Sequence, residues 1–419
     1  MDNKLYERVE PVSKTAVATL IQLAGAGYEK SEKILNRLGF QKKDYAWSLG
    51  DRDKLEKICM IANRESRYVA LNNTALESGC ENIFDLPCGF VHRAFDMVEN
   101  GRTYVGGDLP EVIGYIRPVI SDMLSPEQKS RVRFAEVDIT NGQSIHDAVE
   151  GMEGPVCVCT EGLFVYLNAS EMNTVIQNVY QLLRDRGGCW LTVDTETLAR
   201  HMAVYSAIAG DRASEILKKE MGGFSRKSEI DIAGSNAKYL QKDGRSVNMD
   251  YSETEHQFLQ NGFLIEKIPF VKGSYELRSY AFLQPETIEK LKKALAHVNV
   301  WKFTLNPDFK PAQDAHPEKA FSLRVETVDD TLLFVLSGRM DSLSAPVLLK
   351  AWEEKKASAK IRKVEINCKD LQYISSAVLR VFMMIRKDLP EGSPVLSNVN
   401  SDVREILSTT GFLEFFRLK

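Results

Sequence analysis

The chain has 419 residues, 44% hydrophobic and 27% charged, an ordinary globular balance that excludes a disordered, collagen-like or disulfide-stapled small protein. At about 100–200 residues per domain, this length predicts two or three domains. Lys and Arg number 54 against 58 Asp and Glu, a net charge of −4, so no global basic field exists to collect nucleic acid or an anionic membrane surface.

The first 75 residues read as helices. "SKTAVATLIQLAGAGYEKSEKILNRLGF" and "DKLEKICMIANRESRYVALNNTALES" repeat apolar residues at i, i+3 and i+4. Strands then alternate with helices. "NIFDLP", "TYVGGD", "RVRFAEVDI", "PVCVCTEGL" and "GCWLTVDT" are five predicted strands. Between them lie the helical stretches "VHRAFDMVEN", "PEVIGYIRPVISDML", "SIHDAVEGM" and "SEMNTVIQNVYQLLRDRG". Apolar strands alternating with amphipathic helices predict a mostly parallel sheet covered on both faces, an α/β architecture. Residues 200–250 interrupt the pattern with a helical, polar insertion. "SETEHQFLQNGFLIEKIPF" and "LRSYAFL" then predict a helix and two closing strands.

"NPDFKPAQDAHPEKA", with Pro307, Pro311 and Pro317, reads as an extended linker. The expected division is a first domain over 1–305, a linker over 306–319 and a second domain over 320–419. The second domain reads as two strands, then alternating helices and strands ending in the helix "SDVREILSTTGF", with Gly411 as its C-cap.

Seven cysteines (Cys59, Cys80, Cys88, Cys157, Cys159, Cys189 and Cys368) sit mostly in apolar runs, which predicts buried reduced thiols. Cys157 and Cys159 form C-x-C with no matching Cys/His pair, so no metal site is expected. No segment approaches the ~18 apolar residues of a membrane span, and "MDNKLYERVEPVSK" is too acidic for a signal peptide. A reduced, cytoplasmic protein is expected, with neither nucleic acid nor membrane as partner.

Candidate chemistry gathers at the strand ends. Gly89 follows the first strand and is expected to open a helix, placing a ligand against helix-terminal N–H groups. Asp108 ends the second strand nineteen residues later, near the ~20-residue spacing at which a carboxylate accepts ribose hydroxyls. It equally suits the N-cap of the helix that follows. The single glycine disfavours a pyrophosphate and hence a nicotinamide dehydrogenase. Asp138–Ile139 and Glu161 end the third and fourth strands. Three strand-end acids facing one crevice suit a cationic, donor-rich ligand.

These residues resemble the leucine carboxyl methyltransferase family of class I S-adenosylmethionine-dependent O-methyltransferases. The resemblance runs from about Ser13 to Phe282 through "VSKTAVATL", "NRESRYVAL", "LESGCENIFDLPCGFVHRAF", "GGDLPEVI", "EVDIT" and "TEGLFVYLNASEM". It implies a Rossmann-like domain with a seven-stranded, mostly parallel sheet and an N-terminal helical extension. It further implies that Arg64 binds the methionine carboxylate, Gly89 admits the methionine moiety and Asp108 holds the ribose. Asp138 and Ile139 would flank the adenine, and Glu161 would sit near the methionine amino group. The family's L-G-A-G loop is here Leu86-Pro87-Cys88-Gly89; Pro87 lacks one N–H. No catalytic residue is fixed by the pattern. His201, beside the cleft mouth, and Tyr166, five residues after Glu161, are the candidates. The insertion "GGFSRKSE", with Arg226 and Lys227, could form a lid over an acidic substrate or a solvated face.

The second domain shows no catalytic constellation. "LSGRMDSLSAPVL", "VEINCKDLQYISSAVLRVFMMIRK" and "VREILSTTGF" resemble the sulfate-transporter and anti-anti-sigma-factor (STAS) domain. That implies a small α/β protein-interaction module, similar to an anti-sigma factor antagonist. The family's Asp-Ser-Ser-Gly loop, phosphorylated on its second serine, is here Ser375-Ser376-Ala377-Val378. The phosphoacceptor position is therefore alanine, with Ser376 its neighbour or a helix cap. The expected function is S-adenosylmethionine-dependent O-methylation of a small-molecule or protein acceptor, coupled to a STAS module that folds independently. The alternative is a cofactor-binding regulator without turnover, signalling through that module.

Overall fold

A computed structural model describes residues 11–40, 52–167, 169–226, 252–272, 275–309, 321–328, 330–340, 344–358, 361–389, 393–409 and 412–419. Three helices come first: α1 (Pro11–Gly25), α2 (Glu29–Arg37) and α3 (Lys54–Leu76). A capping box starts α3. Asp53 accepts from the Glu56 amide at 2.9 Å while the Glu56 carboxylate accepts from the Asp53 amide at 3.3 Å, satisfying two donors that a helix start leaves over.

The α/β alternation follows as β1 (Asn82–Asp85), α4 (Arg93–Glu99), β2 (Thr103–Asp108), α5 (Pro110–Met123), β3 (Val132–Glu136), α6 (Gly142–Ala148), β4 (Val156–Thr160), α7 (Ala169–Arg186) and β5 (Gly188–Thr192). Next are α8 (Thr197–Ala209), α9 (Ala213–Arg226), α10 (Ser252–Gln260), β6 (Phe263–Pro269), α11 (Pro285–Leu295) and β7 (Asn299–Leu305). The seven strands form one sheet in the order β3-β2-β1-β4-β5-β7-β6. β1 to β5 pair in parallel, and β7 runs antiparallel to both neighbours. This is the seven-stranded, mostly parallel Rossmann-like sheet that the sequence implied.

Period-two alternation sends side chains to two cores. Ile83, Cys157 and Cys159 enter the core on one face, and Phe84, Val156 and Val158 enter the other. All seven cysteines are buried, as expected, and none is in a disulfide. At β2, a Cβ on Gly106 would lie 2.8 Å from Phe134, and one on Gly107 would lie 2.9 Å from Leu86 and Phe84. The "GGD" run therefore lets neighbouring strands and the β1 loop close over β2.

Four expectations need correction. The "LRSYAFL" run is a 3-10 turn, Arg278–Phe282, and the second closing strand is instead "NVWKFTL". The buried Glu65 of α3 accepts the amides of Arg278 (2.6 Å) and Ser279 (2.9 Å), so that backbone is tied to a helix and not to the sheet. Glu196, also buried, anchors β7 by accepting the Asn299 amide at 2.9 Å and the Trp301 indole N–H at 2.7 Å. The helix after Gly89 begins at Arg93, and β3 ends at Glu136, two residues before Asp138. Finally, the linker's start packs on the first unit: Phe309 meets Tyr180 edge-on with ring centroids 5.6 Å apart.

The second unit comprises β8 (Ser322–Val328), β9 (Thr331–Met340), α12 (Ala345–Ser358), β10 (Lys363–Ile374), α13 (Ser376–Asp388), β11 (Val395–Ser397), α14 (Ser401–Thr409) and β12 (Arg417–Leu418). Its sheet has the order β12-β11-β10-β9-β8 around a separate core that includes Phe334, Leu348, Trp352, Leu379 and Phe382. The terminal strand β12 was not foreseen. Gly411 lies outside the described residues.

Candidate functional site

Gly89 sits in the loop after β1 with φ of 54°, a left-handed backbone that costs a side chain more than a glycine. Its N–H donates to Asp108 Oδ2 at 2.8 Å, and the Leu109 N–H donates to Asp108 Oδ1 at 2.8 Å. Asp108 is buried, and burial lifts its carboxyl to about 7 despite those two donors. A buried carboxyl poised at neutral pH has lone pairs left for further donors. The Val137 N–H donates to the Asp108 carbonyl at 2.8 Å, which sets Asp138 beside this strand end.

A second cluster lies at the ends of β1 and β4, beneath α3. Arg93 is fully buried and reaches three partners: Asp85 at 2.6 Å, Asn72 at 2.6 Å and Glu161. Tyr104 donates to the other Asp85 oxygen at 2.8 Å. Glu161 also pairs with Arg67 at 2.6 Å. Burial alone would raise the Glu161 carboxyl, but Arg67 and Arg93 outweigh it and hold it below the usual range. Arg64 donates to Gln22 at 3.0 Å. Arg200 of α8 is fully buried, bonded to Asn63 at 3.0 Å and the Val193 carbonyl at 2.9 Å. Burial, then Arg67 and Arg64, depress its pKa to about 9. Its Nη2 is buried without a hydrogen-bond partner among the described residues. Arg200 thus sits in the repulsive field of Arg67 and Arg64 with one buried donor left over, a chemistry that suits an anion.

Asp194, after β5, orders the loop that carries Glu161 and Tyr166. It accepts the amides of Gly162 (2.7 Å), Leu163 (2.7 Å) and Phe164 (3.1 Å). Tyr166 ends the short 3-10 turn beyond. Asp138 closes a tight turn, its Oδ1 accepting the Thr140 amide (2.8 Å) and hydroxyl (2.7 Å). Ile139 is buried in the core that also holds Leu163, and its carbonyl accepts from Asn178 at 3.0 Å. The structure thus brings Arg64, Gly89, Asp108, Asp138, Ile139 and Glu161 to one end of the sheet.

His201 lies on α8 next to Arg200, and its Nδ1 bonds the Thr197 carbonyl at 2.6 Å. His92 holds Ser31 at 2.8 Å, and burial lowers it to about 4, a neutral structural histidine at pH 7. Burial pushes the Cys88 thiol up, which removes it as a nucleophile. No group of three or more metal-capable side chains occurs among the described residues. The side chains of Arg226, Ser376 and Ala377, and all of Lys227, lie outside the described residues.

Sequence reasoning missed Asp85, Arg67, Arg93, Asp194 and Arg200. The i, i+3 spacing of Arg64 and Arg67 does place both on one helix face. The others become a cluster only through the sheet.

A five-stranded sheet with three helices, built over residues 322–419, defines the second unit as a STAS domain, whose family model matches those residues. Through this unit the chain belongs to the STAS family. BtrV of Bordetella bronchiseptica, named as an anti-sigma factor antagonist, is 33% identical over 100 residues, 22% of this chain and 82% of that protein. Among solved structures, a DUF574 family protein from Streptomyces avermitilis is similar at 14% identity and a TM-score of 0.38, covering 66% of this chain and 96% of that one. The magnesium protoporphyrin IX methyltransferase of Synechocystis, solved with bound SAH, is similar at 12% identity and a TM-score of 0.34, covering 65% and 99%. No described helix is long and apolar enough to cross a membrane.

Proposed function

We propose that residues 1–305 bind S-adenosylmethionine and methylate a carboxylate or hydroxyl oxygen of an acceptor, with the STAS unit as an interaction module. The observation that carries this reading is the Gly89–Asp108 contact at the carboxyl end of the sheet, beside an arginine cluster with a buried orphan donor. The donor set fits the cofactor. The Asp108 carboxylate suits a ribose diol, and the excess positive charge of Arg64, Arg67 and Arg200 suits a methionine carboxylate. Glu161 is engaged by two arginines, so its contribution at the methionine end is to position them.

S-adenosylmethionine supplies, when bound, a methyl group already activated by its sulfonium. What remains for the protein is proximity and alignment. An acceptor carboxylate is ionised at neutral pH and needs no base, in keeping with the resemblance to carboxyl methyltransferases. A hydroxyl acceptor would need one, with His201 and Tyr166 the candidates. The reading is tested by titrating the full chain with S-adenosylhomocysteine in a calorimeter, then, in a separate assay, following S-adenosylhomocysteine release from S-adenosylmethionine with candidate acceptors. Binding with release supports the enzyme. Binding without release across a broad acceptor set favours the regulator, which the contact described next also suits. No binding removes both.

A further inference from the structure

The two units touch beside the strand ends just described. Arg339, near the end of β9, donates through Nη2 to the carbonyl of Thr140. Arg339 stacks on Tyr373, its guanidinium carbon 3.7 Å from the ring centroid, and the two residues are register partners across β9 and β10. The Tyr373 phenol is buried beside Thr140, Glu171 and Asp138. Thr140 and Glu171 are themselves buried, and Arg339 is half-buried against Thr140.

Thr140 is the residue whose amide and hydroxyl hold the Asp138 carboxylate, and Asp138 follows Val137, whose amide is bonded to Asp108. A path of hydrogen bonds and one peptide link therefore runs from the STAS sheet through Thr140, Asp138 and Val137 to the backbone carbonyl of Asp108. We infer that the Arg339–Tyr373 pair makes the STAS unit a support for the Asp138–Thr140 turn, so that docking of this unit and ligand binding at Asp108 are positively coupled. This rests on the cofactor reading for the identity of the ligand, but not for the docking. Pinning the turn in advance lowers the ordering cost of binding against it. By reciprocity, a ligand at Asp108 tightens the docking.

The test uses the full chain, with Arg339→Ala and, as the milder variant, Tyr373→Phe, which keeps the ring and removes the hydroxyl. Each must first show intact cooperative melting of both units. Hydrogen–deuterium exchange without ligand reads the docking alone. Amides of 138–142 should exchange at least about threefold faster in Arg339→Ala, while β4 stays unchanged. Unchanged exchange in both folded variants overturns the docking. S-adenosylhomocysteine titration reads the coupling. Affinity should fall about fivefold or more in Arg339→Ala, the usual lower range of coupling between sites, and in the same direction in Tyr373→Phe. Faster exchange with unchanged affinity overturns the coupling. If the unaltered chain binds no S-adenosylhomocysteine, the cofactor reading fails, while the exchange result still decides the docking. If Arg339→Ala unfolds, Tyr373→Phe carries both readouts.

Discussion

The Gly89 amide and the Asp108 carboxylate, nineteen residues apart, meet at 2.8 Å across the ends of two neighbouring parallel strands. The contact joins the left-handed loop after β1 to the acid at the tip of β2. It also gives Asp108 a partner that donates whether or not a ligand is present. Burial still raises the acid to about 7, well above its ordinary range.

That shift has two opposite consequences for pH. For folding, the native carboxyl holds its proton up to about pH 7 while the unfolded one releases it near 4. The native state therefore binds more protons in between, and this group's stabilisation declines as pH rises from about 4 to 7. For binding, ribose hydroxyls donate to the ionised form, so affinity rises with pH. S-adenosylhomocysteine should bind about tenfold tighter at pH 8 than at pH 6, and Asp108→Asn should flatten that profile. A wild-type affinity independent of pH would show that binding does not follow the ionisation of Asp108 in this range, leaving the ribose role to the Asp108→Ala test.

Asp108→Ala should weaken S-adenosylhomocysteine by about tenfold or more, since hydrogen bonds to a charged acceptor contribute about 1.5–3 kcal/mol. Calorimetry at pH 8 measures it. An unchanged dissociation constant rejects the assignment.

Arg64→Lys keeps the charge and loses the fork. Affinity for S-adenosylmethionine should drop while that for adenosine holds, because only the former carries a carboxylate. Equal losses for both ligands would contradict the methionine-end placement.

Glu161→Ala should act first on stability. It leaves Arg67 and Arg93 without a shared buried counter-ion, and breaking such pairs costs about 3–5 kcal/mol. Urea unfolding reads this directly. A loss under about 1 kcal/mol would mean that the arginines find other acceptors.

Gly107→Ala places a methyl 2.9 Å from Leu86 and Phe84. Overpacking of this kind costs about 1–3 kcal/mol. A melting temperature equal to that of the unaltered chain would show that the β1 loop yields.

Much of this was legible in the residues. β2 coincides with "TYVGGD" and ends at Asp108 as expected, because apolar runs are local signals, whereas Gly89 follows β1 but stands four residues before its helix. "LRSYAFL" misled because its apolar content looks like a strand, whereas Glu65, more than two hundred residues earlier, takes its amides. Arg93 and Asp85 looked like ordinary helix and strand-end charges. Only the sheet reveals that both are fully buried and paired. The linker's prolines suggested two separate modules, and nothing in the local pattern around Arg339 or Tyr373 announces Thr140 as a neighbour.

The Arg339–Thr140 contact also bears on competition. A surface that meets its target within one chain faces an effective concentration of about millimolar for a short connection. A separate protein seeking the same STAS face at micromolar abundance would have to bind it about a thousandfold more strongly than Thr140 and its neighbours do. Recruitment by such a protein would then double as eviction, and its footprint would be legible in the exchange rate of a turn it never touches.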